Sequence, residues 1–285
     1  MRLLIFLFFS VISLTTLAQR HEFGFTGGVM YYLGDLNPII PFKKPYPAGG
    51  ILYRYNIDPH FTIKTNALYG KIGADDAQSS NAYQRTRNLR FESEVIELSS
   101  MLEFNFFAYE PGNHKQFNFT PYLFIGLGAM YFNPKSNYEG QMLALKDLNT
   151  EAQRIVSGTK SYSLFQPVMP FGIGFKANPF KGFTMSVEWG MRLTMTDYLD
   201  DVGGRYADPL LLAMASGKPA VVLADPSINV TVDNYNRQRG FKNSKDWYSY
   251  AGFYLCYRIK EKRICWRPGD KYRFPRIAKK KAFSF

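Results

Sequence analysis

The stretch TMTDYLDDVGGRY, Thr194 to Tyr206, places three aspartates, two tyrosines, an arginine and a double glycine in a short span. Residues of these types could hold a cation, run acid–base chemistry or contact a partner. A calcium loop of the EF-hand kind needs acids at alternating positions, a glycine at the sixth and a distal glutamate. Asp197, Asp200 and Asp201 do not follow that spacing, and no metal site is assigned, although a divalent ion bridging acidic groups stays open. General-base catalysis favours histidine, and the chain has three, His21, His60 and His114, all far from the aspartates in the layout below. No G-x-S-x-G elbow is present. What remains is a structured turn. Asp197 and Asp200 would satisfy backbone donors and Gly203-Gly204 would reverse the chain. The candidate partner-contact residues are Asp197, Tyr198, Asp200, Asp201, Arg205 and Tyr206.

The elements around this stretch show a two-residue period, the mark of strands with one apolar face. Apolar residues alternate with small or polar ones from Phe23 to Tyr31, Ile51 to Ile57, Phe61 to Tyr69, Ile96 to Phe106, Phe165 to Lys176, Phe183 to Thr194 and Gly252 to Ile259. A further strand, Pro121 to Phe132, is apolar on both faces, with Gly126 and Gly128 at its centre. That makes eight strands. Their polar faces carry Arg54, Lys64, Glu97, Glu103, Lys176, Glu188 and Arg192. Such alternation fits a soluble sandwich as well as a membrane barrel turned inside out.

The connections discriminate. Links after the second, fourth and sixth strands read as short, and those after the first, third, fifth and seventh as long. That parity is expected of an up-and-down outer-membrane barrel with tight periplasmic turns and long external loops. Residues 1–18, MRLLIFLFFSVISLTTLA, read as a signal peptide cleaved after Ala18. The expected fold is an all-β, eight-stranded antiparallel transmembrane barrel over residues 19–260, in the outer membrane of a Gram-negative bacterium, with both termini periplasmic. Tyr198 and Tyr206 would join its aromatic girdle. So narrow a barrel is filled by side chains, and charges inside it must pair. Arg54, Lys64, Glu97, Glu103, Glu188 and Arg192 are therefore expected to form a salt-bridged plug.

Net charge is +12. Most of it lies in the tail, where from Lys260 to Phe285 lysines and arginines outnumber acids ten to two. Arg263, Arg267, Lys271, Arg273, Arg276, Lys279, Lys280 and Lys281, interleaved with Trp266, Tyr272 and Phe274, read either as a solvated end or as a periplasmic docking arm for an acidic surface. Nucleic acid does not fit that compartment. The two cysteines, Cys256 and Cys265, could form one disulfide in an oxidising compartment.

RHEFGFTGG and YYLGDLNP near the start, FTPYLFIGLGAMYFNP, PFGIGFK, EWGMRLTMTDYLDDVGGRY and DWYSYAGFYLCYRI together resemble the PorG family. The likeness covers nearly all of the chain after residue 18, and TDYLDDV at Thr196–Val202 is its most specific piece. It implies an outer-membrane barrel of the type IX secretion system, a machine coupled to gliding motility in some bacteria. It also implies a subunit that is not an enzyme, has no cofactor and takes no small-molecule substrate. The expected partners are outer-membrane lipid and the periplasmic ring formed by a lipoprotein and its partner subunit. The basic tail and PLLLAMASGKPAVVLA, Pro209–Ala224, depart from the family pattern. The alternative is a stand-alone structural or surface-binding barrel of the OmpA/OmpX type.

Overall fold

The structure, a computed structural model, describes residues 21–111, 118–155, 161–228, 233–241 and 244–259. Its strands are β1 (His21–Leu33), β2 (Tyr46–Asn56), β3 (Phe61–Asp75), β4 (Arg90–Asn105), β5 (Phe119–Tyr138), β6 (Gln141–Ala144), β7 (Phe165–Phe180), β8 (Phe183–Thr194) and β9 (Trp247–Arg258). Every pairing is antiparallel, in the order β4-β3-β2-β1-β9-β8-β7-β5, and a further β4–β5 pairing closes the ring. Eight strands thus form a closed barrel. The short β6 hydrogen-bonds only to the top of β5, as a hairpin through Glu139-Gly140 whose φ values are both positive. That is the backbone a tight two-residue hairpin turn requires.

The strands are longer than the period-2 runs. β2 begins earlier than the period shows, at Tyr46, because Ala48, Gly49 and Gly50 pair with β3 while a methyl group and two glycines leave no alternation to read. β3, β4 and β5 extend past the apolar runs to Asp75, from Arg90 and to Tyr138. Charged residues take over the outer wall there. Lys71 lies opposite Glu94 and Glu92 opposite Lys135.

The loop parity is less strict than the sequence suggests. The β2–β3 and β7–β8 links are turns, the first held by Asp58 Oδ1 accepting from His60 N (2.7 Å) and Phe61 N (2.9 Å), the second by Gly182 at φ +82°. The β4–β5 link, 106–118, is as long as the β1–β2 link at the other end, 34–45. Its length has a use: Tyr109 turns back into the barrel mouth and is buried there. The largest connection, 195–246, carries two short helices, Pro209–Ser216 and Lys218–Ala224. Leu212, Ala220, Leu223 and Ala224 are buried, so this pair packs onto the loop end of the barrel instead of entering the lumen.

Side-chain orientation alternates all round. Phe23, Phe25, Ile51, Ile63, Ile96, Leu98, Leu123, Ile125, Leu127, Ile173, Val187, Trp189, Phe253 and Leu255 point outward and are exposed. At the turn end a ring of aromatics encircles the wall, including His21 against Tyr53 and Tyr55, Phe61 against Phe104, Phe119 against Phe175 and Phe183 against Tyr257. Inward-facing positions carry the buried charged and polar groups, together with a buried apolar cluster that includes Met30, Leu52, Leu68, Ile72, Val95, Met130 and Phe132. The outside is apolar and the ionised groups of the strands lie inside, the reverse of a soluble barrel. No helix among the described residues is long and apolar enough to cross a membrane, which leaves crossing by strands untouched.

Candidate functional site

The lumen is the first candidate. β2 and β3 set Arg54 directly opposite Lys64, a like-charge pair that alone is unfavourable. Two acids offset it. Glu103 of β4 lies 3.2 Å from both Arg54 and Lys64, and Glu188 of β8 lies 3.3 Å from Arg54 and also bonds Lys64. Lys176 of β7 adds a 2.7 Å contact to Glu103 Oε2. The Tyr122 hydroxyl donates to Glu188 at 2.5 Å. The Lys64 ammonium stands 4.5 Å from the Phe124 ring centre and 5.1 Å from that of Tyr254, cation–π contacts that replace some of its lost hydration.

A second cluster sits toward the loop end. Arg192 Nε lies 3.4 Å from Glu97 Oε2, which also accepts from Tyr248 at 2.7 Å, while Ser99 donates to Glu97 Oε1 at 2.6 Å. Glu188 and Arg192 share a face of β8, yet Arg192 pairs with Glu97 across the barrel. Toward the turn end, Thr184 bonds Glu22, and Tyr109 donates to Thr184 at 2.9 Å. Four cations (Arg54, Lys64, Lys176, Arg192) thus face four acids (Glu22, Glu97, Glu103, Glu188), each at most 6% exposed. The balance matters, because an unpaired buried charge is far costlier than a pair. A water-filled channel would expose these groups, so the arrangement is a plug. Glycines make room for it: a Cβ on Gly174 would come within 2.4 Å of Tyr122 Cζ, and one on Gly190 within 2.6 Å of Phe124 Cζ. Cys256 also faces the lumen, with Sγ 3.4 Å from Arg54 Nη1, and Cys265 lies outside the described residues.

The second candidate is the aspartate stretch, and here the structure corrects the expectation of a contact rim. Asp197, Asp200, Asp201 and Tyr206 are buried, Tyr198 is half-buried, and Arg205 alone of the six is exposed. They form the floor of a cap in which the loops are sewn together. Asp200 Oδ1 accepts from Val202 N at 2.9 Å, as a turn aspartate should. Its Oδ2 and Asp246 Oδ1 lie 2.6 and 2.9 Å from the Tyr32 hydroxyl. Asp201 bonds Thr150 and accepts from Tyr162 at 2.7 Å. Tyr198 stacks on Tyr162 at 5.0 Å and 3°, so it belongs to the cap and not to an outer girdle. Gly203 and Gly204 donate to Glu151 Oε1, each at 3.1 Å.

Two arginines tie the loops from above. Arg239 reaches Glu151 (3.1 Å), the Asp201 carbonyl (2.6 Å) and the Ala224 carbonyl (3.1 Å). Arg87 pairs with Asp76 at 2.7 Å and donates to the Arg239 and Asp35 carbonyls. Burial, and then the carboxylates of Asp246 and Asp35, hold Asp200 well above the ordinary carboxylate range. Burial does the same for Asp246, and pushes Asp201 up to about 6 against the pull of Arg239, Thr150 and Tyr162. The cap acids therefore favour their protonated forms as pH falls.

Glu22, Tyr109, Asp76, Arg87, Glu151, Arg239 and Asp246 escaped the sequence reading. Glu22 sits in the β1 alternation and could have been found there. The cap residues come from loops with no period. His21 and His60 lie at the turn end, His21 Nδ1 2.6 Å from the Tyr53 hydroxyl and His60 Nδ1 2.9 Å from the Asn105 carbonyl, across the barrel from the aspartates. Among the described residues no group of three or more metal-type ligands occurs. His114, residues 1–18, expected to be a signal peptide, and the basic stretch Arg263–Lys281 lie outside the described residues.

Residues 1–209 match the model of a family described as a domain of unknown function, DUF6089. The chain belongs to that family. No curated protein matches it by sequence. Among solved structures, it is similar to Ail, the attachment invasion locus protein of Yersinia pestis, at 10% identity and TM-score 0.34 over 84% of this chain and 97% of that one. It is similar also to the N-terminal β-barrel domain of OprF from Pseudomonas aeruginosa, at 10% and 0.34 over 84% and 98%. A third is the outer membrane protein OprG from the same species, at 10% and 0.35 over 85% and 98%. The barrel assignment itself rests on the strand pairing described above.

Proposed function

We propose that this DUF6089 protein is a structural barrel of the outer membrane of a Gram-negative bacterium, with no enzymatic role, that serves as an adaptor subunit of a type IX secretion machine. The single observation that carries the membrane part is the inversion: exposed apolar residues around the whole outer wall, with the strands' charged groups buried inside and balanced against one another. A plug of this kind suits a scaffold and not a pore. The aspartate stretch is spent on internal bonds, which argues against a catalytic rim. The first and last barrel strands end side by side, Glu22 opposite Arg258, at the turn end, so both chain ends leave there. In this reading that end is periplasmic, and the basic tail meets the ring formed by a lipoprotein and its partner subunit. The secretion role is supported by the sequence likeness to the PorG family, TDYLDDV above all.

A native pull-down from outer membranes, with the full chain and with a chain ending at Glu261, tests this. Ring components recovered with the full chain but not the shortened one support the adaptor role and make the tail its docking arm. Recovery with both supports the adaptor role through the turn end itself. If neither retains a partner while both stay in the membrane, the adaptor role is refuted. A stand-alone barrel of the OmpA/OmpX type, which the closed cap also suits, then takes its place.

A further inference from the structure

The β1–β2 loop leaves the cap and comes down the outside of the barrel. Leu36 and Asn37 are buried under the cap, but the next residues, PIIPFKKP, lie outward. Tyr31 points away from the lumen, since it alternates with the inward-facing Met30 and Tyr32, yet it is fully covered. Phe42 covers it, with ring centres 4.6 Å apart, and the Tyr31 hydroxyl accepts from Trp189 Nε1 at 2.9 Å. Trp189 belongs to the exposed apolar wall, beside Val187 and Phe253. The loop is therefore seated at the upper margin of that wall. There it displays Ile39 (80% exposed), Ile40 (46%) and Phe42 (48%) side by side.

Three prolines, Pro38, Pro41 and Pro45, stiffen the segment by fixing φ. Phe42 and Lys44 are held at φ 57° and 50°. A bulky side chain in that region is a strained outlier and persists only when its surroundings over-determine it. Lys44 is placed by Glu92 at 3.4 Å and by the Tyr46 ring at 5.7 Å, with Lys43 beside it. A rigid apolar knuckle continuous with the outward-facing wall, followed by two lysines, is the pattern of a segment buried at the boundary of headgroups and acyl chains.

We infer that residues 38–45 form an interfacial anchor, with Ile39, Ile40 and Phe42 dipping into the acyl region of the outer leaflet and Lys43 and Lys44 at its anionic headgroups. This rests on the membrane reading above and widens the lipid contact on the β1–β9–β8 side of the barrel. An environment-sensitive fluorophore on Ile39→Cys tests it, in a full chain that carries Cys256→Ser and Cys265→Ser. The protein is reconstituted in phosphatidylcholine–phosphatidylglycerol vesicles with spin-labelled lipids at shallow or deep positions. Phe253→Cys, on the wall, and Arg205→Cys, on the cap, are labelled as references. The expected result is blue-shifted emission from position 39, quenched most by the shallow lipid, with Phe253 quenched by the deep one and Arg205 by neither. An unquenched, water-like signal at 39 with Phe253 still quenched overturns the anchor alone. Loss of quenching at both overturns the membrane reading and the anchor with it.

Discussion

Replacing Glu103 by glutamine keeps the shape of the plug and removes one charge. Glu103 lies 3.2 Å from Arg54, 3.2 Å from Lys64 and 2.7 Å from Lys176, and all four side chains are fully buried. At an effective dielectric of about 20, each contact near 3 Å amounts to roughly 5 kcal/mol of attraction. Much of that is offset because a neutral amide is easier to bury, and breaking a buried pair typically leaves a net loss of about 3–5 kcal/mol. Glutamine still accepts hydrogen bonds, so no cavity is made and the loss reports the unbalanced cations. The assay is equilibrium urea unfolding in lipid vesicles, read by tryptophan fluorescence and by the gel mobility of unheated samples. Adding Lys176→Met restores the balance of three cations to three acids in the lumen, so the double variant should recover at least half of the loss. An E103Q variant within about 1 kcal/mol of the parent would refute the charge-balance argument. So would a double variant whose loss equals the sum of the two singles.

Three further outcomes are expected. Gly174→Ala brings a Cβ within 2.4 Å of the Tyr122 ring and should cost about 1–3 kcal/mol by overpacking, measured by the same unfolding assay. Arg239→Met removes the ties to Glu151, Asp201 and Ala224, so limited proteolysis should cut within 195–246 while the heat-modifiable mobility of the barrel is unchanged; equal resistance of the cap would count against the arginine as its clasp. The third concerns pH. The folded pKa of Asp201, about 6, stands above its unfolded value near 3.9, so the native cap binds more protons than the unfolded one between those values. Stability from this group therefore rises as pH falls from about 6 to about 4, by roughly 2–3 kcal/mol if uncoupled, and Asp200 and Asp246 act in the same direction. Hydrogen-exchange protection in 195–246, measured relative to the intrinsic amide rate at each pH, should rise between pH 7 and pH 5, with a smaller rise in Asp201→Asn.

Much of this molecule is written locally. The two-residue period names eight strands, their outward residues and the inward charges, because a strand turns successive side chains to opposite faces whatever it pairs with. Charge pairing inside a narrow barrel then follows from the cost of burying ions singly. The partners do not follow. Arg192 meets Glu97 and not Glu188, its neighbour on the same strand, since barrel curvature aims both side chains across the lumen and not along the strand. The period also fails where side chains are absent, as at Gly49-Gly50, which hid the start of β2. The aspartate stretch shows the deeper limit. Its acids and glycines are legible as a turn, but whether a turn faces water is decided by what folds over it. Here Glu151 and Tyr162 from the loop before β7, with Arg239 and Asp246 from the far end of the same 195–246 connection, all without any period, close over Asp200 and Asp201 and convert a surface motif into the floor of a cap. Only the tertiary structure brings them there, because loop contacts are chosen by shape and hydrogen bonding across the barrel mouth and leave no local pattern in the chain.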